Sequence, residues 1–140
     1  NIRFGMMVIY ARDLQRSIEF YRLLGLDVPD PHPDRPVSIY RMSNGVTIIF
    51  TTGDVAQRFD PGWIRPDRGY QQVMEFLVED EASVDAVWAR LTAAGYHGRT
   101  APRPITGPYA TMVDDPDGNV VLITNDQADR RRLPEPGAGT

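Results

Sequence analysis

The feature that most constrains the fold of this chain is an internal repeat. An apolar strand, a helix that ends at a glycine, a loop and a hairpin occur over residues 1–52, and the same order returns over residues 70–124. Such a repeat of mixed elements predicts one α+β domain over residues 1–125. Residues 53–69 would then be an inter-module loop, and residues 126–140 a C-terminal tail.

Each half contains one well-marked helix. Asp13 is a good N-cap for a helix from about Leu14 to Leu24, and Gly25 can end it. In the second half, the apolar spacing predicts a helix over residues 81–94, which Gly95 closes. Both helices carry one apolar face, so we expect each to cover a sheet.

The strands are marked by apolar, β-branched runs and by turn residues. The dipeptides Asn44-Gly45 and Asp117-Gly118 each predict a tight hairpin turn. The segment 98–108 is rich in proline and glycine, which predicts a second irregular loop. The predicted strands cover residues 2–10, 37–42, 46–52, 70–78, 109–113 and 119–124.

The composition excludes several classes of function. The 140-residue chain has no cysteine, which excludes disulfides and thiolate chemistry and is compatible with a cytoplasmic location. Its net charge of −4 does not favour nucleic-acid binding. No apolar run approaches the roughly 20 residues of a membrane span. We therefore expect a small-molecule partner rather than a nucleic acid or a membrane.

Five stretches carry a resemblance to a known family: 17–22 (SIEFYR), 59–63 (FDPGW), 82–85 (ASVD), 94–96 (AGY) and 115–121 (DPDGNVV). They resemble the vicinal oxygen chelate superfamily, which includes glyoxalase I, extradiol dioxygenases and the fosfomycin- and bleomycin-resistance proteins. The resemblance is strongest to its metal-free, drug-binding resistance proteins, such as the mitomycin-binding protein. It implies two βαβββ modules that form a curled mixed sheet around a cleft, and a homodimer that sequesters an antibiotic without chemistry.

The resemblance also bears on metal binding. Metal-dependent members of the superfamily take ligands from their strands, and the matching positions here are Met6, Val73 and Val121. Valine has no donor atom, and a methionine thioether is a poor ligand for hard or borderline ions. We therefore expect neither a metal nor another cofactor. A tryptophan of the mitomycin binder falls near Thr106, so we do not expect mitomycin itself to be the ligand.

If Met6, Val73 and Val121 face a cleft, strand alternation puts Val8, Tyr10 and Glu75 on the same side, and the repeat adds Ile49. The result is an apolar cleft with a few polar points. Glu75 is the exception, because a carboxylate on an apolar strand must pair with an arginine or meet a donor on a ligand. Trp63 lies in a Pro/Gly-rich segment, where an aromatic ring can stack on a ligand or pack at an interface. The candidate ligand-binding residues are Met6, Val8, Tyr10, Tyr40, Ile49, Trp63, Val73, Glu75, Tyr109 and Val121.

Three hypotheses about function follow. The first is a metal-independent protein that binds and sequesters a flat, partly aromatic small molecule, with antibiotic resistance as the outcome. The second is an enzyme of the same fold, either a metal-dependent lyase or dioxygenase with displaced ligands or a metal-free isomerase that uses Glu75 as its base. The third is a structural or regulatory module with a packed interior and no ligand.

Overall fold

The structure is a computed structural model that describes residues 1–105 and 107–125. The predicted tail at 126–140 and Thr106 lie outside the described residues. The chain forms two compact units. The first contains Asn1–Gln71 together with the turn Asp115–Asn119, and the second contains Gln72–Asp114 together with the chain from Val120.

The first unit is a three-stranded sheet with two helices. Strand β1 lies parallel to β3, and β2 lies antiparallel to β3, which gives the order β1-β3-β2. The ring centroids of Tyr21 in α1 and Phe50 in β3 are 5.0 Å apart, so α1 covers the face of the sheet that carries Phe50. The elements are β1 (Met6–Ala11), α1 (Leu14–Leu24), β2 (Ser38–Arg41), β3 (Thr47–Thr52) and α2 (Gly53–Phe59).

Helix α1 begins and ends where its capping residues predict. The Asp13 carboxylate accepts a 3.2 Å hydrogen bond from the backbone N–H of Arg16 and satisfies a donor of the first turn. Gly25 has a φ of 131°, which a residue with a side chain rarely adopts. The buried side of the helix carries Ile18, Phe20 and other apolar residues that form the core of this unit.

The second unit is a four-stranded sheet with one helix. Strand β4 lies parallel to β7, and the other two pairs are antiparallel, in the order β4-β7-β6-β5. Val84, Val87 and Leu91 form the buried side of its helix. The elements are β4 (Val73–Val78), α3 (Glu81–Ala93), β5 (Gly98–Pro104), β6 (Tyr109–Asp114) and β7 (Val120–Asn125).

The α+β class and the repeated order of elements are confirmed, and two segments differ from expectation. Residues 98–104, predicted as a loop, form β5. This strand lies at the edge of its sheet, where the missing backbone N–H groups of Pro102 and Pro104 are tolerated. Its pairing with β6 contains register shifts. Residues 53–59, predicted as part of an irregular connection, form the short helix α2.

The two modules are also not identical, because the described part of the first contains three strands where the second contains four. The proline-rich segment of the first module at 29–36 follows α1, in the place that β5 takes after α3 in the second. Within the described residues, none of the helices has the length and apolar character needed to cross a membrane.

Candidate functional site

Each sheet packs one face against a helix, α1 in the first sheet and α3 in the second. The opposite face, on which that helix does not pack, is called the open face. In the first sheet, Ile9 and Phe50 are buried on the covered side, whereas the alternate residues of β1 point to the other side. Met6 lies on that open side and is 52% exposed. A partly exposed apolar sheet face that is not packed against a helix is a surface on which another molecule can be bound.

The open face of the first sheet brings together four of the predicted site residues. The register pairs Val8 with Ile49 and places Met6 and Tyr10 on the same side of β1. Ile39 of β2 also pairs with Ile49 and widens the apolar surface. The predicted common face of Met6, Val8, Tyr10 and Ile49 is therefore confirmed, and their contact with a ligand stays a prediction.

Tyr40 lies apart from this group. It pairs with Ile48 across β2 and β3, and Ile48 is buried on the helix-covered face. The side chain of Tyr40 therefore projects from the opposite side of the sheet to Ile39. The structure does not bring Tyr40 together with the residues of the open face.

In the second sheet, the prediction that Val73, Glu75 and Val121 share a face is wrong, because the β7 residue on that face is the next one, Leu122. The register pairs Glu75 with Leu122 and pairs Met74 with Val121. Val73 and Glu75 therefore share a face with Leu122, whereas Val121 lies on the other face and is fully buried. The resemblance selected Val121 by its place along the chain, but the pairing with β4 determines which residues share a side.

Tyr109 is also on the covered face of the second sheet. Its hydroxyl donates a short hydrogen bond to Asp85 of α3, so its side chain extends towards the helix. Strand alternation in β6 places Tyr109 on the same side as Val113, which pairs with Val121. The hydrogen bond to the Asp85 carboxylate raises the pKa of the Tyr109 hydroxyl. Tyr109 thus packs with α3 and does not line the open face.

Trp63 extends the open face of the first sheet. Its ring centroid lies 5.5 Å from that of Tyr10 in an edge-to-face arrangement, and the guanidinium of Arg65 lies 5.1 Å from the Trp63 ring. The indole also approaches the start of α2, where a Cβ on Gly53 would lie 3.0 Å from the ring. The absence of a side chain at Gly53 leaves room for the indole, which is half-buried.

The turn between β6 and β7 belongs to the first unit and is held there by buried polar contacts. Oδ1 of Asp115 accepts hydrogen bonds from the backbone N–H groups of Asp117 and Asn119, and Oδ2 accepts from Tyr21 and Asn119. Burial raises the pKa of Asp115, although each of these hydrogen bonds opposes that effect. Burial and the neighbouring Asp115 charge raise the pKa of Tyr21 well above its ordinary value.

Two arginines meet the same turn. The Asp117 carboxylate accepts hydrogen bonds from the backbone and side chain of Arg12, and it lies 3.8 Å from Nη1 of Arg65. No local pattern predicts that Arg12 and Arg65 meet this turn, because Asp117 is distant from both along the chain. The contact of Asp115 with Tyr21 is equally distant, whereas its bonds to Asp117 and Asn119 are local to the turn.

The residues on the open faces do not fit a metal site. The β7 position beside Glu75 is Leu122, which has no donor atom, and Met6 and Val73 occupy the other two positions at which the resemblance implies ligands. In the part of the chain that the structure describes, no three histidine, aspartate or glutamate side chains lie close enough together to hold an ion.

Similar folds occur in several solved structures. A glyoxalase-related enzyme from Fulvimarina pelagi has a TM-score of 0.76 and 24% identity over 89% of this chain and 88% of its own. Lactoylglutathione lyase from Agrobacterium tumefaciens has a TM-score of 0.65 and 22% identity over 90% and 95% of the two chains. The hypothetical protein SA1046 from S. aureus has a TM-score of 0.75 and 19% identity over 88% and 92%. At these identities, the likeness establishes the fold alone.

The family follows from a sequence match. No curated protein matches the chain. The family described as Glyoxalase/Bleomycin resistance protein/Dioxygenase superfamily matches residues 3–123, which include every strand of both sheets except the end of β7. This chain therefore belongs to the Glyoxalase/Bleomycin resistance protein/Dioxygenase superfamily.

Proposed function

We propose that this protein binds a flat, partly aromatic small molecule without a metal and sequesters it, with antibiotics and related natural products as the ligand class. The observation that carries the proposal is the open face of the first sheet. Met6, Val8 and Ile49 form an apolar surface there, and the Tyr10–Trp63 aromatic pair lies at its end. An apolar surface bounded by aromatic rings suits a planar ligand better than a highly charged one.

The expected binding energy comes from apolar burial and stacking. Covering about 100 Å² of apolar ligand surface contributes roughly 2.5 kcal/mol before the cost of association. Stacking on an aromatic ring adds about 1 kcal/mol. Several such contacts are therefore needed for tight binding, and a homodimer in which each ligand touches both subunits would supply them. This dimer, a cytoplasmic location and a role in resistance are parts of the proposal.

A second candidate is an enzyme of the same fold. The observation that favours it is the position of Glu75, which is half-buried on the open face of the second sheet and pairs in register with Leu122. A carboxylate held among apolar side chains can serve as a general base when its environment is tuned for proton transfer. In that case, Glu75→Gln should abolish turnover while leaving binding of the substrate in place.

Native mass spectrometry of the purified protein tests the first candidate. The protein is measured alone, with added divalent metals, and with a panel of quinone, anthraquinone, peptide and glycopeptide antibiotics. We expect a dimer that retains no metal and takes up one member of the panel at a fixed ratio. Stoichiometric retention of Zn²⁺, Ni²⁺ or Fe²⁺ would overturn the proposal.

A further inference from the structure

Arg65 makes contacts that join Trp63 to the end of β1. Its Nη1 donates a 3.0 Å hydrogen bond to the carbonyl of Tyr10, and its Nη2 donates a 3.4 Å hydrogen bond to the carbonyl of Ala11. The same guanidinium lies over the Trp63 ring, and the Trp63 ring contacts the ring of Tyr10. These contacts form a closed triangle of Arg65, Trp63 and Tyr10.

The end of β1 is suited to such an arrangement. Among the described strands, β1 lies at the edge of its sheet, so those of its carbonyl groups that point outward are not bonded to a neighbouring strand there. A guanidinium can donate to two carbonyls while its flat face rests on an aromatic ring, which a lysine ammonium cannot do. Only a quarter of the Arg65 side chain is exposed, so its geometry is constrained by its neighbours.

A carboxylate holds the guanidinium from another direction. Asp117 lies 3.8 Å from Nη1 of Arg65 and is itself fixed by a 3.0 Å hydrogen bond from the backbone of Arg12. The Asp117 side chain is only 6% exposed, so solvent screens this charge weakly. Arg65 is therefore held by two carbonyls, one carboxylate and one aromatic ring.

We propose that Arg65 is a positioning residue that holds the Trp63 indole at the end of the open face of the first sheet. The part of this inference that concerns ligand stacking rests on the proposed function. The position of the ring itself does not, because it is a property of the protein without a ligand. With Arg65 in place, the indole presents an ordered surface, so a ligand does not bear the cost of immobilising the ring.

Fluorescence of Trp63 tests the inference directly. The chain has two tryptophans, so the Trp88→Phe background leaves Trp63 as the single reporter. In that background, Arg65→Met should raise the acrylamide quenching constant about twofold or more, since the ring loses the cation that covers it. Arg65→Lys should restore the wild-type value only in part. The exposed Arg68, three residues away, provides a matched control, and Arg68→Met should leave quenching unchanged.

Two results would overturn the inference. One is unchanged quenching in Arg65→Met when circular dichroism shows a folded protein. If Arg65→Met does not fold, Asp117→Asn is measured instead in the Trp88→Phe background. Unchanged quenching in folded Asp117→Asn is the second result that would overturn the inference. The antibiotic panel is measured separately. Altered quenching with no uptake of any panel member supports the positioning role of Arg65 and counts against the proposed function alone.

Discussion

The Tyr21 hydroxyl donates a 2.7 Å hydrogen bond to Oδ2 of Asp115, 94 residues away along the chain. Both residues are buried, and the bond joins α1 to the turn at Asp115–Asn119 within one compact unit. Burial raises the pKa of Asp115 in the folded protein above its unfolded value. The folded state therefore binds the Asp115 proton more tightly than the unfolded state does. The contribution of Asp115 to stability is largest below its unfolded pKa and is lost as the pH rises through its folded pKa.

Removing the Tyr21 hydroxyl should destabilise the protein in a pH-dependent way. The hydrogen bond from Tyr21 lowers the pKa of Asp115, so it stabilises the ionised carboxylate. Tyr21→Phe should therefore cost about 1.5–3 kcal/mol where Asp115 is ionised, and less where it is protonated. Urea unfolding across a pH series measures this difference. Tyr109→Phe, which removes a tyrosine–aspartate bond at an exposed site, should change the free energy of unfolding little.

A methyl group at Gly53 should displace the side chains of Arg65 and Trp63 without unfolding the protein. A Cβ there would lie 2.8 Å from Nη2 of Arg65 and 3.0 Å from the Trp63 ring. The contact falls on the end of the Arg65 side chain, and alanine has a better helix propensity than glycine by up to about 1 kcal/mol, which offsets part of the cost of shifting the guanidinium. Gly53→Ala should therefore change the free energy of unfolding by less than about 1 kcal/mol. It should nevertheless alter Trp63 emission in the Trp88→Phe background. Gly5→Ala, whose Cβ would meet no atom within 4 Å, should alter neither quantity.

Gly98 should tolerate a side chain much less well. A Cβ at this first residue of β5 would clash with the Trp88 ring, with Cζ3 at 2.6 Å, and would lie 3.1 Å from Thr92. The ring of Trp88 is large, half-buried and extends from α3 onto Gly98, so Gly98→Ala should cost about 1–3 kcal/mol in the free energy of unfolding. Thermal or urea unfolding measures it. A cost no larger than that of Gly5→Ala would contradict this packing.

The register of β7 can be tested by adding polar groups on its two faces. Val121 is fully buried on the helix-covered face, whereas Leu122 is half-buried on the open face beside Glu75. Val121→Gln should therefore cost about 2–4 kcal/mol, because its amide would have no partner in the core. Leu122→Gln should cost less than half as much. Equal costs of the two substitutions in urea unfolding would contradict the register that pairs Glu75 with Leu122.

Loss of the Trp63 ring should weaken ligand binding if the proposed function is right. Trp63→Ala should lower the affinity for the member of the antibiotic panel that binds by about tenfold, since the stacking and the apolar burial of the ring together contribute about 1.4 kcal/mol or more. Trp63→Phe keeps an aromatic ring and should lose less. Titration calorimetry of both variants gives the comparison, and an unchanged affinity in Trp63→Ala would remove this ring from the site.

The elements with local signals were predictable from the sequence. The bounds of α1 follow from Asp13 and Gly25, whose capping roles depend only on neighbouring residues. Strand β5 was missed because Pro102 and Pro104 suggest a loop, and only its position at a sheet edge makes a strand possible. Edge and centre positions are a property of the whole sheet, so the local sequence does not reveal them.

The candidate site was only partly predictable for a related reason. Alternation along β1 correctly grouped Met6 and Tyr10, because those residues lie on one strand. Val121 was placed on the wrong face because its position depends on the register between β4 and β7, which are about 40 residues apart. Trp63 was identified by its unusual setting, but Arg65 was not, since its role arises only from three-dimensional contacts.

The turn at Asp115–Asn119 makes this repeat indivisible. A chain that contains two copies of a module suggests that each copy can stand alone as a fragment. Here, a cut after Gln71 would separate Tyr21 from Asp115 and Arg12 from Asp117, although these partners belong to one compact unit. The first copy would keep a buried hydroxyl without its acceptor. Five residues of the second copy, 115–119, thus complete the first compact unit. The first copy of the module therefore does not contain all the residues of its own unit, and the two units cannot be separated by a single cut.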